Sequence, residues 1–324
     1  MFSILLNLSN PWVITSIVVL GLIILGGIGM MIAIPIVIFR MTMYRNPKKL
    51  RTRQCTNTKD EQQMMMFEKG LEWALQYQAQ TKDLHLVNEG LNLYGQYIDL
   101  GFDQCAVILQ GRTESLLYSY YFADVYVKNG YNILVIDVRA HGLSDGKYQT
   151  AGIKESDDLL AWLALMQKDY GMKSFVFHGI CVGAASAIYA YTKLKAKGSN
   201  IVKKIVVEGL FISCYEIFKQ HFKWLKKPTF PALQLVFMLA FIFAKVRHFK
   251  EKPINHMKDI DIPILFIWSK EDIFARPDKS EKLYAACQSE HKQLAFFPKG
   301  RHSHVRSSQE TEYDQTVDQF LKKP

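Results

Sequence analysis

Three stretches of this chain carry residue types suited to acyl transfer. The first is His178-Gly179-Ile180-Cys181-Val182-Gly183-Ala184. A thiol stands between two glycines, after an apolar run (SFVFH) and before a helix-like one. That is the setting of a nucleophile elbow, G-x-S-x-G, with Cys in the serine position. A sharp strand-to-helix turn forces its central residue into strained backbone, and neighbouring side chains would clash there. The helix start beneath it supplies free N–H groups and the positive end of a dipole. Both favour a thiolate and then an oxyanion. The plain alternative is a small buried cysteine in a core.

The second stretch, Lys299-Gly300-Arg301-His302-Ser303-His304, follows the apolar run LAFF. A His on a loop beyond a strand end can reach a nucleophile and act as base. Alone it is a solvated loop residue. The third, Ser269-Lys270-Glu271-Asp272, follows ILFIW. An acid at a strand's carboxyl end can fix a His tautomer. Alone it is a helix cap or a surface turn. The chain order is nucleophile 181, acid 272, base 302, and each stands at a strand end. His302 and His304 have a two-residue spacing without a clear third ligand, so no metal is expected. No cofactor is expected either.

Apolar runs and turn signals predict the elements that must position these residues. Asn88-Glu89-Gly90 separates LHLV from LNLYGQYI and predicts a β-hairpin. Continuous apolar strands are predicted at Cys105–Leu109, Asn132–Asp137, Ser174–His178, Ile205–Glu208, Ile264–Trp268 and Leu294–Phe297. Helical segments are predicted at Asp60–Tyr77, Tyr118–Asn129, Ile153–Lys168, Gly183–Lys197 and Ser280–Ser289. Apolar strands alternating with helices predict an α/β fold, a mostly parallel sheet covered on both faces. One long insertion breaks the spacing, with its cap-like part at about 211–258. It contains Phe230–Ala244, 15 residues with one polar side chain and basic flanks. This segment is expected to cap the site, to touch a membrane surface, or both.

Residues 82–322 resemble the α/β-hydrolase superfamily. The resemblance rests on AVILQGRTESLLYSYYFADVYVKNGYNILVIDVRAHGLSDG, GIKESDDLLAWL, GICVGAASAIYA, IDIPILFIWSKED and FFPKGRHS. More narrowly, the chain resembles the membrane-anchored, cell-surface-type hydrolases of Gram-positive bacteria. Cys at the elbow is similar to the dienelactone hydrolases. The resemblance implies Cys181, Asp272 and His302 as catalytic residues, with His304 a neighbour. It implies an oxyanion hole from the backbone N–H groups of Arg112 and Val182. The family's histidine-glycine pair is Gln110-Gly111 here, and its R-G-H-G run is Arg139-Ala140-His141-Gly142. Arg139, His141 and Asp145 are read as shaping the loop beside the nucleophile.

The first 39 residues contain no charged side chain and no His, and Pro11–Phe39 is almost wholly apolar. A bilayer core of ~30 Å needs ~20 helical residues, so a retained anchor is expected over residues 1–40. Arg40, Arg45, Lys48, Lys49, Arg51 and Arg53 follow before any acid appears. They supply more than half of the net charge of +10. This places the basic character beside anionic headgroups and argues against nucleic acid as a partner. The positive-inside rule turns the following domain to the cytoplasm, whereas the likeness to cell-surface-type hydrolases points outward. Cys55, Cys105, Cys181, Cys214 and Cys287 show no paired spacing, which agrees with a reducing compartment. The expected organisation is an anchor (1–40), a basic linker and helix (41–80) and a hydrolase domain (81–324).

The leading expectation is a membrane-anchored hydrolase that cleaves ester or thioester bonds through Cys181, His302 and Asp272. Its substrate would be a small acyl compound, lipid-like if the apolar cap closes on it. The alternative is a non-catalytic, membrane-anchored interaction protein that keeps the fold. Cys for Ser and Gln110 for His motivate that second reading.

Overall fold

The structure is a computed structural model, and it describes residues 10–45 and 59–323. Lys48, Lys49, Arg51, Arg53 and Cys55 lie outside the described residues. The first helix, α1 (Pro11–Thr42), starts with an Asn10 side chain that accepts from the Trp12 amide, and Pro11 is its first residue. Its 32 residues are long and apolar enough to cross a membrane. Only its C-terminal end is held by the rest of the protein, through buried Pro35 and Phe39.

The sheet has eight strands. They are β1 (Thr81–Asn88), β2 (Leu91–Ile98), β3 (Gln104–Leu109), β4 (Asn132–Asp137), β5 (Ser174–Ile180), β6 (Val202–Glu208), β7 (Ile264–Ser269) and β8 (Lys292–Phe297). Their spatial order is β1-β2-β4-β3-β5-β6-β7-β8. β1 and β2 form the expected hairpin, and β2 runs antiparallel to β4. The other five pairings are parallel. β4 and β7 are buried along their whole length, as apolar strands covered on both faces must be. The carboxyl ends of β3, β5, β6, β7 and β8 therefore emerge along one edge, where the elbow, the acid and the His loop follow.

The helices after α1 are α2 (Glu61–Gln76), α3 (Leu116–Ser119), α4 (Asp124–Lys128), α5 (Glu155–Tyr170), α6 (Val182–Ala196), α7 (Cys214–Trp224), α8 (Ala232–Leu239), α9 (Pro253–His256), α10 (Pro277–Ala286), α11 (Val305–Ser308) and α12 (Glu310–Lys322). The single helix expected over 118–129 is broken into α3, a 3₁₀ turn (Tyr120–Phe122) and α4. Tyr118, Tyr120, Tyr121 and Phe122 are all buried, so no solvent face is left for an amphipathic helix. α2 lies over this aromatic turn. Its Trp73 stacks on Tyr120 with ring centroids 5.4 Å apart. α10 begins three residues earlier than expected, because Pro277 suits a first helical position.

The 211–258 segment contributes α7 and α8. α8 continues into a π-helical turn (Ala240–Ala244) and packs against α1. Side chains from α1, α7 and α8 line one cavity of about 1200 Å³ together with Cys181 and His302.

Candidate active site

The elbow is built from backbone constraint. Cys181 leaves β5 and caps α6 with φ 52° and ψ −105°, a conformation L-residues rarely adopt. Its N–H donates to the Glu208 carbonyl at 2.9 Å, so β6 holds the turn. A side chain on Gly179 would place its Cβ 2.5 Å from Ala184 Cα. One on Gly183 would sit 2.2 Å from the Leu109 carbonyl oxygen. These close approaches let α6 start directly beside the end of β3. The Cys181 side chain is almost fully buried and faces the cavity.

His302 and Asp272 come together as a couple. His302 Nδ1 lies 2.7 Å from Asp272 Oδ2. The other carboxylate oxygen, Oδ1, accepts from the amides of Phe274 (2.9 Å) and Ala275 (2.8 Å). Burial alone would raise the Asp272 carboxyl. The charge and hydrogen bond of His302, with those two amides, instead hold it below its usual value. Burial alone would lower His302. Asp272 and then Cys181 outweigh it and raise the imidazole well above its usual value. His304 stands apart from this couple: its Nδ1 is 2.7 Å from the His302 carbonyl.

The loop after β3 is tied from two sides. The Arg112 carbonyl lies 2.6 Å from His141 Nε2 and accepts from Arg45 Nη2 at 2.7 Å. Burial first, then the charge of Arg45, holds His141 down at about 4. Its Nδ1 lies 3.0 Å from the Arg139 carbonyl, so the ring is wedged between two carbonyls. Arg139 forms a buried pair with Asp158, Nε to Oδ2 at 2.6 Å and Nη2 to Oδ1 at 2.7 Å. Asp145 accepts from the Asn92 amide and side chain, which joins this loop to the hairpin. The Gln110 side chain is buried without a partner among the described residues.

Sequence reasoning missed Glu208 and Glu114. Glu208 is fully buried at the end of β6. It accepts from the Val305 amide at 3.0 Å and from the Tyr313 hydroxyl at 2.9 Å, bracing the loop that carries His302. Its one sequence signal is an acid ending an otherwise apolar strand, IVVE. Glu114 is buried too and accepts from the Gly111 amide at 2.8 Å and from Gln63 on α2.

Burial raises the Glu208 carboxyl to about 7, against the hydrogen bonds from Val305 and Tyr313. A folded value above the unfolded one of ~4.3 means that the fold favours the protonated form. Stability from this group is complete below about pH 4.3 and is lost as pH rises towards about 7. Glu208→Gln is expected to remove that loss, which is on the order of 4 kcal/mol at ~1.36 kcal/mol per unit. Denaturation curves for both proteins at pH 5 and pH 8 check it. An equal drop in the two proteins would refute the assignment.

Comparisons with known proteins place this geometry. Residues 238–309 match the family model described as serine aminopeptidase, S33. The chain is similar to the uncharacterised protein YqkD of Bacillus subtilis strain 168, 24% identical over 219 residues. That match covers 66% of this chain and 70% of YqkD. Among solved structures, the Pyrococcus furiosus esterase Pf2001 matches with a TM-score of 0.64 and 24% identity, covering 77% of this chain and 94% of that one. The serine hydrolase CCSP0084 of Cycloclasticus zankles matches with a TM-score of 0.53 and 14% identity, covering 74% and 98%. The chain has the α/β-hydrolase fold.

These matches correct one expectation. The site was expected to be of the cysteine-nucleophile, dienelactone-hydrolase type at Cys181, with thioesters among its substrates. The similar proteins are serine hydrolases and esterases instead. The elbow, the His–Asp couple and the sheet order serve either nucleophile, so one residue type could not assign the lineage. The narrower likeness to cell-surface hydrolases gives way to the coarser one, an esterase-like α/β-hydrolase fold.

Proposed function

We propose that this protein is a membrane-anchored hydrolase of carboxylic esters, built on a serine-hydrolase layout. The observation that carries the reading is the 2.7 Å His302–Asp272 couple, set in the same cavity as the elbow residue at position 181. In this assignment Cys181, His302 and Asp272 are the catalytic positions, and the N–H groups of Arg112 and Val182 are the oxyanion donors. Similar solved structures include esterases, and the fold serves ester chemistry widely.

The reaction splits into two balanced steps. In such a layout the elbow side chain passes its proton to the imidazole Nε2 and bonds the acyl carbon. The alcohol then leaves with that proton. Water next gives a proton to the same imidazole as its oxygen bonds the acyl carbon; the bond to the elbow side chain then breaks, the proton returns to that side chain, and the carboxylic acid leaves. The negative charge on the carbonyl oxygen meets backbone donors at each step. Backbone donors do not depend on side chains, so Gln110 is compatible with them.

The anchor in this reading is α1, whose last turn carries Arg40, with Arg45 just beyond the helix. Positive residues on that flank turn the hydrolase domain to the cytoplasm. The domain limits follow: an anchor up to residue 40, and a hydrolase domain from residue 81 with its cap at about 211–258.

The test is a comparison of the wild type, Cys181→Ser and Cys181→Ala on p-nitrophenyl esters. The layout is a serine one, so Cys181→Ser is expected to raise kcat/KM at least tenfold over the wild type. Cys181→Ala is expected to be inactive. Absence of turnover in both the wild type and Cys181→Ser would overturn the reading and favour the non-catalytic one.

A further inference from the structure

We propose that the ester is a long-chain acyl ester resident in the membrane, drawn from the bilayer between α1 and α7 along the face of α1. This rests on the ester-hydrolase reading above and names its substrate class.

The first observation is the cavity wall. The space that holds Cys181 and His302 is closed on one side by Gly27, Met30, Met31, Ile34, Ile38 and Met41 of α1. Their spacing of three and four residues marks one helical face. At ~1.5 Å per residue that face is about 21 Å long. This face is itself open to the surroundings: Met30 and Met41 are more than 60% exposed, as are Leu22, Ile23 and Leu25 elsewhere on α1. The cavity is thus accessible from the side along α1.

The second observation is depth. Twenty residues counted forward from Trp12, or back from Arg40, fill a core of ~30 Å. Either count places Gly27, Met30 and Met31 inside the hydrocarbon. Counted back from Arg40, Gly27 lies about 20 Å deep and Met30 about 15 Å, so the wall runs from around the bilayer midplane up to the headgroups. The cavity therefore begins where acyl chains already lie.

The third observation is the rim. Trp224, Leu225, Phe230, Phe241 and Phe243 are largely exposed around α7, α8 and the turn after it. Lys223, Lys226, Lys227, Lys245, Arg247 and Lys250 flank them. Apolar side chains bordered by cations match the bilayer interface. Phe243 reaches Phe39 of α1, with ring centroids 5.9 Å apart, so this rim is joined to the anchor. A water-soluble substrate needs no such border, and an apolar patch of this kind is costly in water.

The α1 end of the lining, Gly27 to Met41, is wholly apolar, whereas Arg112, His302 and the Cys181 thiol supply polar groups at the catalytic end. An acyl chain along α1 would bring its ester group to that end. The opposite order would bury the ester among Met30, Met31 and Ile34 with nothing to bond it.

The experiment uses the full chain in phosphatidylcholine–phosphatidylglycerol vesicles. The probe is a long-chain acyl glycerol ester with a diazirine at the chain end, photolysed and mapped by mass spectrometry. Labels are expected on Met30–Ile38 and on Phe218–Phe230, besides the lipid-facing Leu20–Leu25. Ile34→Trp, with Met31→Trp as a second variant, is expected to cut the Phe218–Phe230 label at least fivefold. The Leu20–Leu25 label should hold. Labels confined to Leu20–Leu25, or cavity labels indifferent to both variants, would overturn the proposal. Hydrolysis is followed in parallel, with the probe kept dark and with a short water-soluble ester. Short-ester turnover without cavity labelling sinks the lipid substrate alone. Cavity labelling without turnover of either ester sinks the hydrolase reading instead.

Discussion

His302→Ala is expected to lower kcat/KM for a p-nitrophenyl ester by about 10⁴-fold, with little change in folding. In the proposed reaction the ring is the base in both steps, and the neighbouring imidazoles are poorly placed to replace it. His304 is directed to the His302 carbonyl at 2.7 Å. His221 also lines the cavity, but burial holds it down at about 4. It stacks on Phe274 with ring centroids 3.7 Å apart, and its Nδ1 lies 3.1 Å from the Ile217 carbonyl. A base that weak takes few protons in the transition state. His221→Ala is therefore expected to cost less than about tenfold, far less than loss of a positioned base.

Asp272→Asn carries a sharper signature than the size of its loss. Both oxygens of Asp272 accept hydrogen bonds, one facing His302 and one from two amides. An asparagine there must turn an NH2 towards one set of donors. If it turns towards His302, the ring is driven to the tautomer with its proton on Nε2, which cannot accept another. The expected loss is about 10³- to 10⁴-fold. The acid limb of the pH profile should also move. Asp272 is the largest influence raising His302, so its charge keeps the ring protonated to higher pH. Removing that charge lets the ring lose its proton at lower pH, and the residual activity should begin at lower pH than in the wild type. An acid limb that stays in place would mean that His302 is not the titrating base.

Much of the fold was legible because buried parallel strands are written as continuous apolar runs. NILVID is a strand in the sequence and spans the same residues in the structure. Turn chemistry gave the β1–β2 hairpin in the same way. Cys181, Asp272 and His302 could be singled out because each directly follows such a run. The residues that brace them were not legible, since their partners are far away in sequence. Glu208 meets Val305 across 97 positions, and Arg45 meets Arg112 across 67. No local period encodes such pairs. The cavity wall was hidden for another reason. Met30, Met31 and Ile34 have the composition of any apolar helix, and only the packing of α1 on the domain shows which face borders the cavity. The lineage of the nucleophile was not legible either, because a single side chain at an elbow does not change the frame around it.

That frame predicts the largest effect on stability. Gly183→Val is expected to destabilise the protein by more than about 3 kcal/mol, a large part of a typical margin of ~5–15 kcal/mol. The Cβ at this position would lie 2.2 Å from the Leu109 oxygen, 2.6 Å from the Leu109 carbon and 2.8 Å from the Gln110 oxygen. All three are backbone atoms at the end of a central strand, so no side chain can rotate out of the way. α6 must then retreat from β3, and the core between them opens. The thermal midpoint of the domain should fall by roughly 6 °C or more. Gly183→Ala separates packing from chemistry. Its smaller retreat also widens the gap between Val182, the first residue of α6, and Arg112, three residues past β3. The two backbone donors assigned to the oxyanion would then no longer converge on one point. Turnover should therefore fall by more than the stability loss explains, roughly 10²-fold for one misplaced donor. A Gly183→Ala protein with full ester turnover would mean that the close contact of α6 with β3 does not set the oxyanion hole.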